Sequence, residues 1–419
     1  MENAWNFIWT RLFDERTSMF YNHLVGDEAD AATKTLPEPA LIRLGIPNPG
    51  GYGTGMEDCM LNAGLMMNAV VARYEAAGDE GMREYAAKIW RGMELDASVS
   101  PKKGFLPRGV TPADCRSHYI DTSRDQYTNW WYGAYRLYFS GLSDEEQRGS
   151  IRRLLTGMAE KMEREVIPEN GWSFLREDGE RGFVGQMWGD VGPHEALRLP
   201  MLYLLTWKTT GDPHWQEMYL RYRDEALEKT LGYVPLSGPT YAALQLQYSL
   251  RLVTDLDEDP AVRETCLSLM RKNAEPYEVM AVRQAEQIMT PEGAEWLRIP
   301  YVSWKKAKAR YAGCWGGKAY YVPEPSDFRE HQSYYPLRAV GEGIAVAATC
   351  PGRQAADLSF EKLCQTADFV DYGLHRTCAP IALVEAYWLV RRGEGLMSET
   401  RGVTNLGTGQ KKHLRRLRS

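Results

Sequence analysis

Two kinds of helical stretch alternate along this chain of 419 residues. Stretches of one kind are apolar or aromatic on nearly every side, and they cover residues 58–74, 126–139, 195–207, 239–253, 335–348 and 378–390. Stretches of the other kind carry one charged face, and they cover residues 3–24, 80–95, 143–165, 215–231, 260–272 and 360–369. A helix that is apolar all round must be surrounded by protein, whereas a helix with a charged face belongs at the surface. The sequence therefore predicts an all-α fold, an (α/α)6 barrel in which an outer ring of six helices encloses an inner ring of six.

In such a toroid the inner helices run in the same direction, so the loops that precede them meet at one end. The widest gap, residues 274–330 before the fifth inner helix, is rich in Trp, Tyr and Gly. We predict an insertion of short helices or a small hairpin that folds over the pocket mouth, with an extra packing layer elsewhere as the alternative. We expect residues 1–395 to form a single catalytic domain and residues 396–419 to be a polar, basic tail.

The composition is that of an ordinary globular protein, with 44% hydrophobic and 25% charged residues. No run approaches the length of about 18 apolar residues that a membrane span needs, and a net charge of −6 creates no field that favours nucleic acid. The seven cysteines are scattered without a Cys-x-x-Cys pair, which favours a reducing compartment. We therefore expect a cytoplasmic protein, or a periplasmic one if a leader has been removed. Its partners would include neither nucleic acid nor a membrane, and the composition is compatible with a homo-oligomer.

Two segments bring acids to the starts of inner helices. A glycine-rich loop over residues 50–56 ends in Glu57 and Asp58, and an aromatic-rich segment opens with Arg124 and Asp125. Glycosidic bond cleavage needs one carboxylic acid to protonate the leaving oxygen and one carboxylate to activate water or attack carbon. Aromatic rings can hold the apolar faces of sugars. The candidate catalytic residues are Asp125, Asp58 and, in a loop between a Trp-Gly and a Gly-Pro pair, Asp190. The residues expected to contact substrate are Tyr52, Glu57, Arg108, Arg124, Trp130, Trp131, Trp188, His194, His331, Arg338 and His375.

These residues also have structural interpretations. Asp58 and Asp125 lie where a carboxylate commonly caps the free amides of a helix, and Arg108 and Arg338 are of a kind that often forms structural ion pairs. We expect no metal, because neither His-x-x-x-His nor His-Glu-x-x-His occurs. We expect no cofactor, because the chain has no Walker sequence and no strand-Gly-x-Gly-x-x-Gly-helix unit. It also lacks the Gly-x-Ser-x-Gly elbow of serine hydrolases.

The same segments carry a resemblance to known proteins. Residues 53–59 (Gly-Thr-Gly-Met-Glu-Asp-Cys), 123–128 (Ser-Arg-Asp-Gln-Tyr-Thr) and 13–17 (Phe-Asp-Glu-Arg-Thr) resemble the six-hairpin glycosidase superfamily, and within it bacterial proteins related to glycoside hydrolase family 154. The resemblance implies β-glucuronidase activity on an oligosaccharide or another uronic-acid-containing glycan. A glucuronide carboxylate would need a cationic partner, for which Arg108, Arg124 and Arg338 are candidates. Arg124 is the best placed of the three because it adjoins Asp125. The chain also bears a looser likeness to unsaturated glucuronyl hydrolases, but it does not contain the signature sequences that surround the aspartates of those enzymes.

Two other functions remain open from the sequence. A polysaccharide lyase or a sugar epimerase on the same toroid would depend on histidine or tyrosine, so that His194 and His375 would matter most. A catalytically silent glycan-binding protein would bind oligosaccharide without turnover. Our leading hypothesis is an exo-acting glycoside hydrolase that releases a terminal β-linked uronic acid, with Asp125 and Asp58 as its acid and base pair.

Overall fold

The computed structural model describes residues 1–298, 309–315, 318–323, 330–353 and 355–393, with side chains for 1–298, 334–353 and 355–393. Six helices form an inner ring: α3 (Cys59–Ala77), α5 (Arg124–Tyr138), α7 (Arg198–Thr210), α9 (Thr240–Leu256), α12 (Glu330–Thr349) and α14 (residues 380–393). Six helices lie outside them: α1 (Glu2–Phe7), α4 (Met82–Val99), α6 (Glu145–Glu165), α8 (Pro213–Leu231), α10 (Pro260–Ile288) and α13 (Asp357–Phe369). Two short helices, α2 (Pro39–Arg43) and α11 (Pro291–Trp296), lie in connections. Inner and outer helices alternate along the chain, as predicted.

The inner helices close into a ring. Neighbouring members contact each other in the order α3, α5, α7, α9 and α12. Helix α14 completes the circle, because Gly341 of α12 lies against the backbone of Ala382 and Asn68 of α3 donates a hydrogen bond of 2.6 Å to Glu385 of α14. The fold is therefore an all-α toroid of six hairpins.

Glycines set the closest approach between two inner helices. A Cβ added to Gly64 of α3 would lie 2.3 Å from the carbonyl oxygen of Asn129 and 2.9 Å from its Cβ, on α5. Real Cβ atoms do not approach other atoms this closely, so any larger residue at position 64 would push the two helices apart. The starts of α3 and α5 are thereby held next to each other.

The fifth outer helix is longer than predicted. We expected it to end at Lys272, but α10 continues through Pro276 to Ile288. A proline inside a helix removes one backbone hydrogen bond and often bends the helix. Here the second half packs on α12, where Gly343 would meet the carbonyl oxygen of Tyr277 and the side chain of Ala281 if it carried a Cβ. Burial against the ring therefore outweighs the local cost of the proline.

Short hairpins fill the connections. Strands β1 (Phe13–Asp14) and β2 (Met19–Phe20) replace the second half of the predicted first outer helix, and β3 (Ser173–Leu175) pairs with β4 (Arg181–Gln186) between α6 and α7. The aromatic insertion contains α11 and a third hairpin, β5 (Ala309–Trp315) with β6 (Lys318–Pro323). The expectation of short helices or a small hairpin is thus confirmed, and β5 contacts β4.

Two further findings bear on the sequence predictions. None of the helices in the described part of the chain is both long enough and apolar enough to cross a membrane. The expected tail over residues 396–419 lies outside the described residues. The division of the chain into a domain and a tail therefore stays a prediction.

Candidate active site

Charged side chains gather where the inner helices begin. Asp58 immediately precedes α3, and its carboxylate accepts hydrogen bonds from Asn22 Nδ2 at 3.2 Å and from Gln126 Nε2 at 2.9 Å. The side chain of Gln126 also accepts a hydrogen bond from the backbone N–H of Leu61 and donates one to the carbonyl oxygen of Glu57. One side chain of α5 thus fixes the start of α3. Asp58 itself is 23% exposed.

The surroundings of Asp58 favour its neutral form. Burial raises the pKa of this carboxyl, and the negative charges of Glu57 and Asp125 raise it further. Arg338 and Arg108 act in the opposite direction without reversing the result. Asp58 therefore keeps its proton to a higher pH than an ordinary aspartate, as a general acid must.

The adjacent Glu57 has an environment that favours its ionised form. Its carboxylate pairs with His23 Nε2 at 3.1 Å and accepts the backbone N–H of Gly55 at 2.7 Å. Burial alone would raise the pKa of Glu57, but the histidine and the backbone donors bring it below its usual value. Glu57 is therefore an anion that acts on Asp58 through its charge.

Asp125 lies in the first turn of α5, the next helix around the ring. Its carboxylate accepts a hydrogen bond of 2.8 Å from Arg198 Nη1 at the start of α7. The Arg198 side chain is only 1% exposed, whereas Asp125 is 23% exposed. A buried guanidinium thus holds an aspartate that still reaches solvent at the inner end of the ring.

A second ion pair continues the charged cluster toward α7. Arg124 pairs with Glu195 and donates a bond of 3.1 Å to the carbonyl oxygen of Gln186 on β4. Glu195 also contacts His194 Nε2 at 3.3 Å. Burial opposes ionisation of Glu195, yet His194, Arg198 and Arg124 together lower its pKa to about 2.

Arg108 supports the loop before α3. It donates to the hydroxyl of Tyr52 and, at 3.0 Å, to the carbonyl oxygen of Glu57, and its guanidinium lies 4.2 Å from the centre of the Tyr52 ring. Arg108 also lies near Asp121, which is fully buried. Burial raises the pKa of Asp121 to about 6, although the positive charge of Arg108 acts to lower it.

Arg338 enters the same end of the ring from α12. Its Nε donates to Glu342 at 2.5 Å and its Nη1 donates to the hydroxyl of Tyr334. The rings of Tyr241 and Tyr334 each have their centres 5.3 Å from the guanidinium carbon. Glu342 is in turn held by the hydroxyl of Thr240 on α9 at 2.5 Å.

The capping interpretation of the two aspartates is not what the structure shows. The Asp58 side chain makes no capping hydrogen bond to α3, although Asp58 is the residue that precedes the helix. The N-cap of α5 is Ser123, again without a side-chain cap, and the carboxylate of Asp125 turns to Arg198. Both carboxylates are thus engaged by side chains of neighbouring segments.

The tryptophans predicted to contact substrate require a correction. Trp130 and Trp131 are fully buried between rings of helices, where their indole N–H groups point to the carbonyl of Met93 on α4 and the sulfur of Met158 on α6. Trp188 is buried against Tyr222 of α8, with ring centres 4.8 Å apart. All three face outer helices, which removes them from the candidates for binding a sugar.

Two other predicted residues, His375 and Asp190, make no hydrogen bond or ion pair with the described residues of the cluster. His375 is fully buried beside Phe7 and is hydrogen-bonded to Thr377, and burial lowers its pKa to about 4. Asp190 is exposed and makes no hydrogen bond or ion pair with any described residue. His331 lies in the first turn of α12, and its side chain is outside the described residues.

Several residues of the cluster escaped the sequence analysis. Asn22 and His23 come from the segment after β2. This segment passes between α14 and α3, and His23 pairs with Thr377 in an isolated antiparallel β-bridge. The sequence analysis places Asn22 and His23 at the end of a predicted outer helix, and no local pattern indicates the path that the structure shows. Arg198 could have been noticed, since it is a charged residue at the start of a mostly apolar inner helix.

Among the residues with described side chains, no group of three or more His, Cys, Asp or Glu is arranged to hold a metal ion. The side chains of the cluster carry carboxyl, guanidinium, imidazole, amide and phenol groups. Two carboxyl groups with different environments and partial exposure are suited to acid and base catalysis.

No protein-family model and no curated protein matches this chain. Among solved structures, the α-1,6-mannanase GH76A of Salegentibacter sp. HEL1_6 is similar at 13% identity, over 83% of this chain and 97% of that one, with a TM-score of 0.38. An inactive variant of that mannanase in complex with α-1,6-mannotriose shows 14% identity over 93% and 98%, with a TM-score of 0.36. A GH9 protein of Bacteroides ovatus shows 10% identity over 80% and 70%, with a TM-score of 0.41. These likenesses are distant, and the toroid rests on the contacts between this chain's own helices.

Proposed function

We propose that this protein is an exo-acting glycoside hydrolase that releases a terminal β-linked uronic acid, with glucuronic acid as the first candidate. The observation that carries the proposal is the placement of Asp58 and Asp125 at the starts of neighbouring inner helices, one favoured as a neutral acid and the other paired with a buried arginine. Two carboxyl groups in different environments are the catalytic equipment of most glycosidases.

We assign the two roles from the environments of the two carboxyl groups. Asp58 donates its proton to the glycosidic oxygen as the bond to the anomeric carbon breaks, so that the aglycone leaves as a neutral alcohol. Asp125 supplies the carboxylate that takes a proton from the attacking water or attacks the anomeric carbon itself. Arg198 keeps the Asp125 carboxylate in one orientation, because its own side chain is fixed by burial.

The uronic acid part of the proposal rests on the arginines and on the resemblance to family 154. Four arginines, Arg108, Arg124, Arg198 and Arg338, lie among the carboxyl groups of the cluster. A sugar carboxylate buried at such a site needs a charge-assisted hydrogen bond, which guanidinium groups supply.

The structure weakens the lyase and epimerase alternative in its histidine form. His194 precedes α7 and His375 precedes α14, and these helices lie three places apart in the ring. His375 is fully buried against Phe7 of α1, and this burial lowers its pKa. A pair of cooperating histidines is therefore not what the geometry supports.

The proposal is tested by hydrolysis of an aryl β-D-glucuronide and of uronate-capped oligosaccharides. We expect the wild type to release the sugar, and the variants Asp58→Asn and Asp125→Asn each to lose at least about 100-fold in kcat, because each removes a proton donor or acceptor at the reacting bond. The exposed Asp224 of the outer helix α8 serves as the matched control, and Asp224→Asn should retain activity. Sugar release that is absent in the wild type, or undiminished in Asp125→Asn, would refute the assignment. An unsaturated product detected by its ultraviolet absorbance would instead indicate a lyase.

A further inference from the structure

We infer that Arg338 is the residue that binds the substrate carboxylate and so determines specificity for a uronic acid. The inference rests on the proposed function, since it concerns how the same site recognises its sugar. It replaces the expectation that Arg124, adjacent to Asp125, has this role.

The arginines differ in which of their donors the protein already uses. Arg124 places one terminal nitrogen on Glu195 and the other on the carbonyl oxygen of Gln186. Arg108 places one on the hydroxyl of Tyr52 and the other on the carbonyl oxygen of Glu57. The two terminal nitrogens of each guanidinium are therefore committed to holding loops together at the pocket.

Arg198 is unsuited for another reason. Its Nη1 already binds the carboxylate of Asp125 at 2.8 Å. A uronate bound there would compete with the catalytic carboxylate for one cation.

Arg338 is held firmly and keeps one donor in reserve. Glu342 and Tyr334 engage its Nε and Nη1, and the rings of Tyr241 and Tyr334 flank the guanidinium. Its Nη2 makes no hydrogen bond with any residue that the structure describes, although the side chain is only 7% exposed. A buried guanidinium whose plane is fixed, and whose last nitrogen binds none of the described residues, is prepared to receive an anion.

The position of Arg338 in the ring suits this role. Its helix α12 lies three places from α5, on the opposite side of the ring. A sugar between them would present its anomeric carbon toward α3 and α5 and its carboxylate toward α12. The neighbouring Tyr335 is 40% exposed and borders the same helix start.

The test compares an aryl β-D-glucuronide with the matching β-D-glucoside, which lacks the carboxylate. For Arg338→Met we expect kcat/KM for the glucuronide to fall by about 30-fold or more, the cost of removing one partner of a buried charge pair. The low activity on the glucoside should be unchanged or higher. Arg338→Lys, which keeps the charge, should lie between the wild type and Arg338→Met. The exposed Arg263 of α10 provides a control, since Arg263→Met should behave as the wild type.

Equal loss on both substrates, or a retained preference for the glucuronide in Arg338→Met, would overturn the inference and leave the proposed hydrolase intact. If the wild type cleaves neither substrate, calorimetry with D-glucuronate and D-glucose decides about Arg338 alone. The inference then requires that the wild type prefer glucuronate and that Arg338→Met lose this preference. Thermal melting of each variant shows whether it is folded, and should Arg338→Met not fold, the comparison rests on Arg338→Lys.

Discussion

The ionisation of Asp58 is controlled mainly by burial and by the charge of Glu57. If Asp58 is the general acid, kcat/KM must fall as the pH rises through its pKa, because the deprotonated form has no proton to give. Since that pKa is raised, the decline begins at a higher pH than for an ordinary aspartate.

Glu57→Gln offers a test of this control. Removing a negative charge beside Asp58 lowers its pKa, so the basic limb of the pH profile should move to lower pH. The measurement is kcat/KM on an aryl β-glucuronide across the pH range, for the wild type and for Glu57→Gln. A shift of the limb to higher pH would contradict the role assigned to Asp58. The outer-face Glu264→Gln, far from the ring interior, is the control.

At the same scale, the tryptophans show what helical geometry could have revealed. With about 100° per residue, positions 130 and 131 lie well away from position 125 around α5, whereas position 132 returns to the same side. Tyr132 indeed lies inside the ring, stacked on Tyr248 of α9 with ring centres 4.0 Å apart. The residue types near Asp125 indicated a sugar site, but the helical period assigns its tryptophans to the outer helices.

At the scale of helices, the sequence predicted the existence and order of all twelve elements better than their ends. The fifth outer helix is predicted to end at Lys272, four residues before Pro276. The extension of α10 to Ile288 depends on packing against α12, a segment more than forty residues further along the chain. Such a contact cannot be read from a local pattern.

Close helix packing at Gly64 gives a second prediction at this scale. Gly64→Ala places a methyl group where the backbone of Asn129 already lies. Overpacking of this kind costs about 1–3 kcal/mol, and it should separate the starts of α3 and α5. We therefore expect a lower free energy of unfolding in urea together with reduced activity.

Gly238 supplies the matched control, because a Cβ there would meet nothing within 4 Å. Gly238→Ala should leave stability and activity near the wild type. Equal stability of Gly64→Ala and Gly238→Ala would show that α3 and α5 are not packed as described.

At the scale of the whole molecule, closure of the ring makes one site from distant segments. Asn22 reaches Asp58 only because the chain after β2 runs between the last and the first inner helix, where the N–H of Cys378 also donates to the carbonyl oxygen of Asn22. Farther along the ring axis, the buried carboxyl group of Glu385 accepts hydrogen bonds from Asn68 and from the hydroxyl of Tyr248. Burial raises the pKa of Glu385 to about 7. The alternating helix types predicted the toroid, but neither of these crossings leaves a local sequence signal.

The account claims that Asp58, Asp125 and Arg338 face one sugar. A crystal structure of Asp125→Asn with a bound aryl β-D-glucuronide tests this most directly, because the substitution should slow turnover and leave the ring unchanged. We predict that the glycosidic oxygen lies within hydrogen-bond distance of Asp58, that position 125 lies beside the anomeric carbon or its attacking water, and that the uronate carboxylate contacts Arg338. A sugar bound outside the inner ring, or one whose anomeric carbon is remote from both aspartates, would contradict the account.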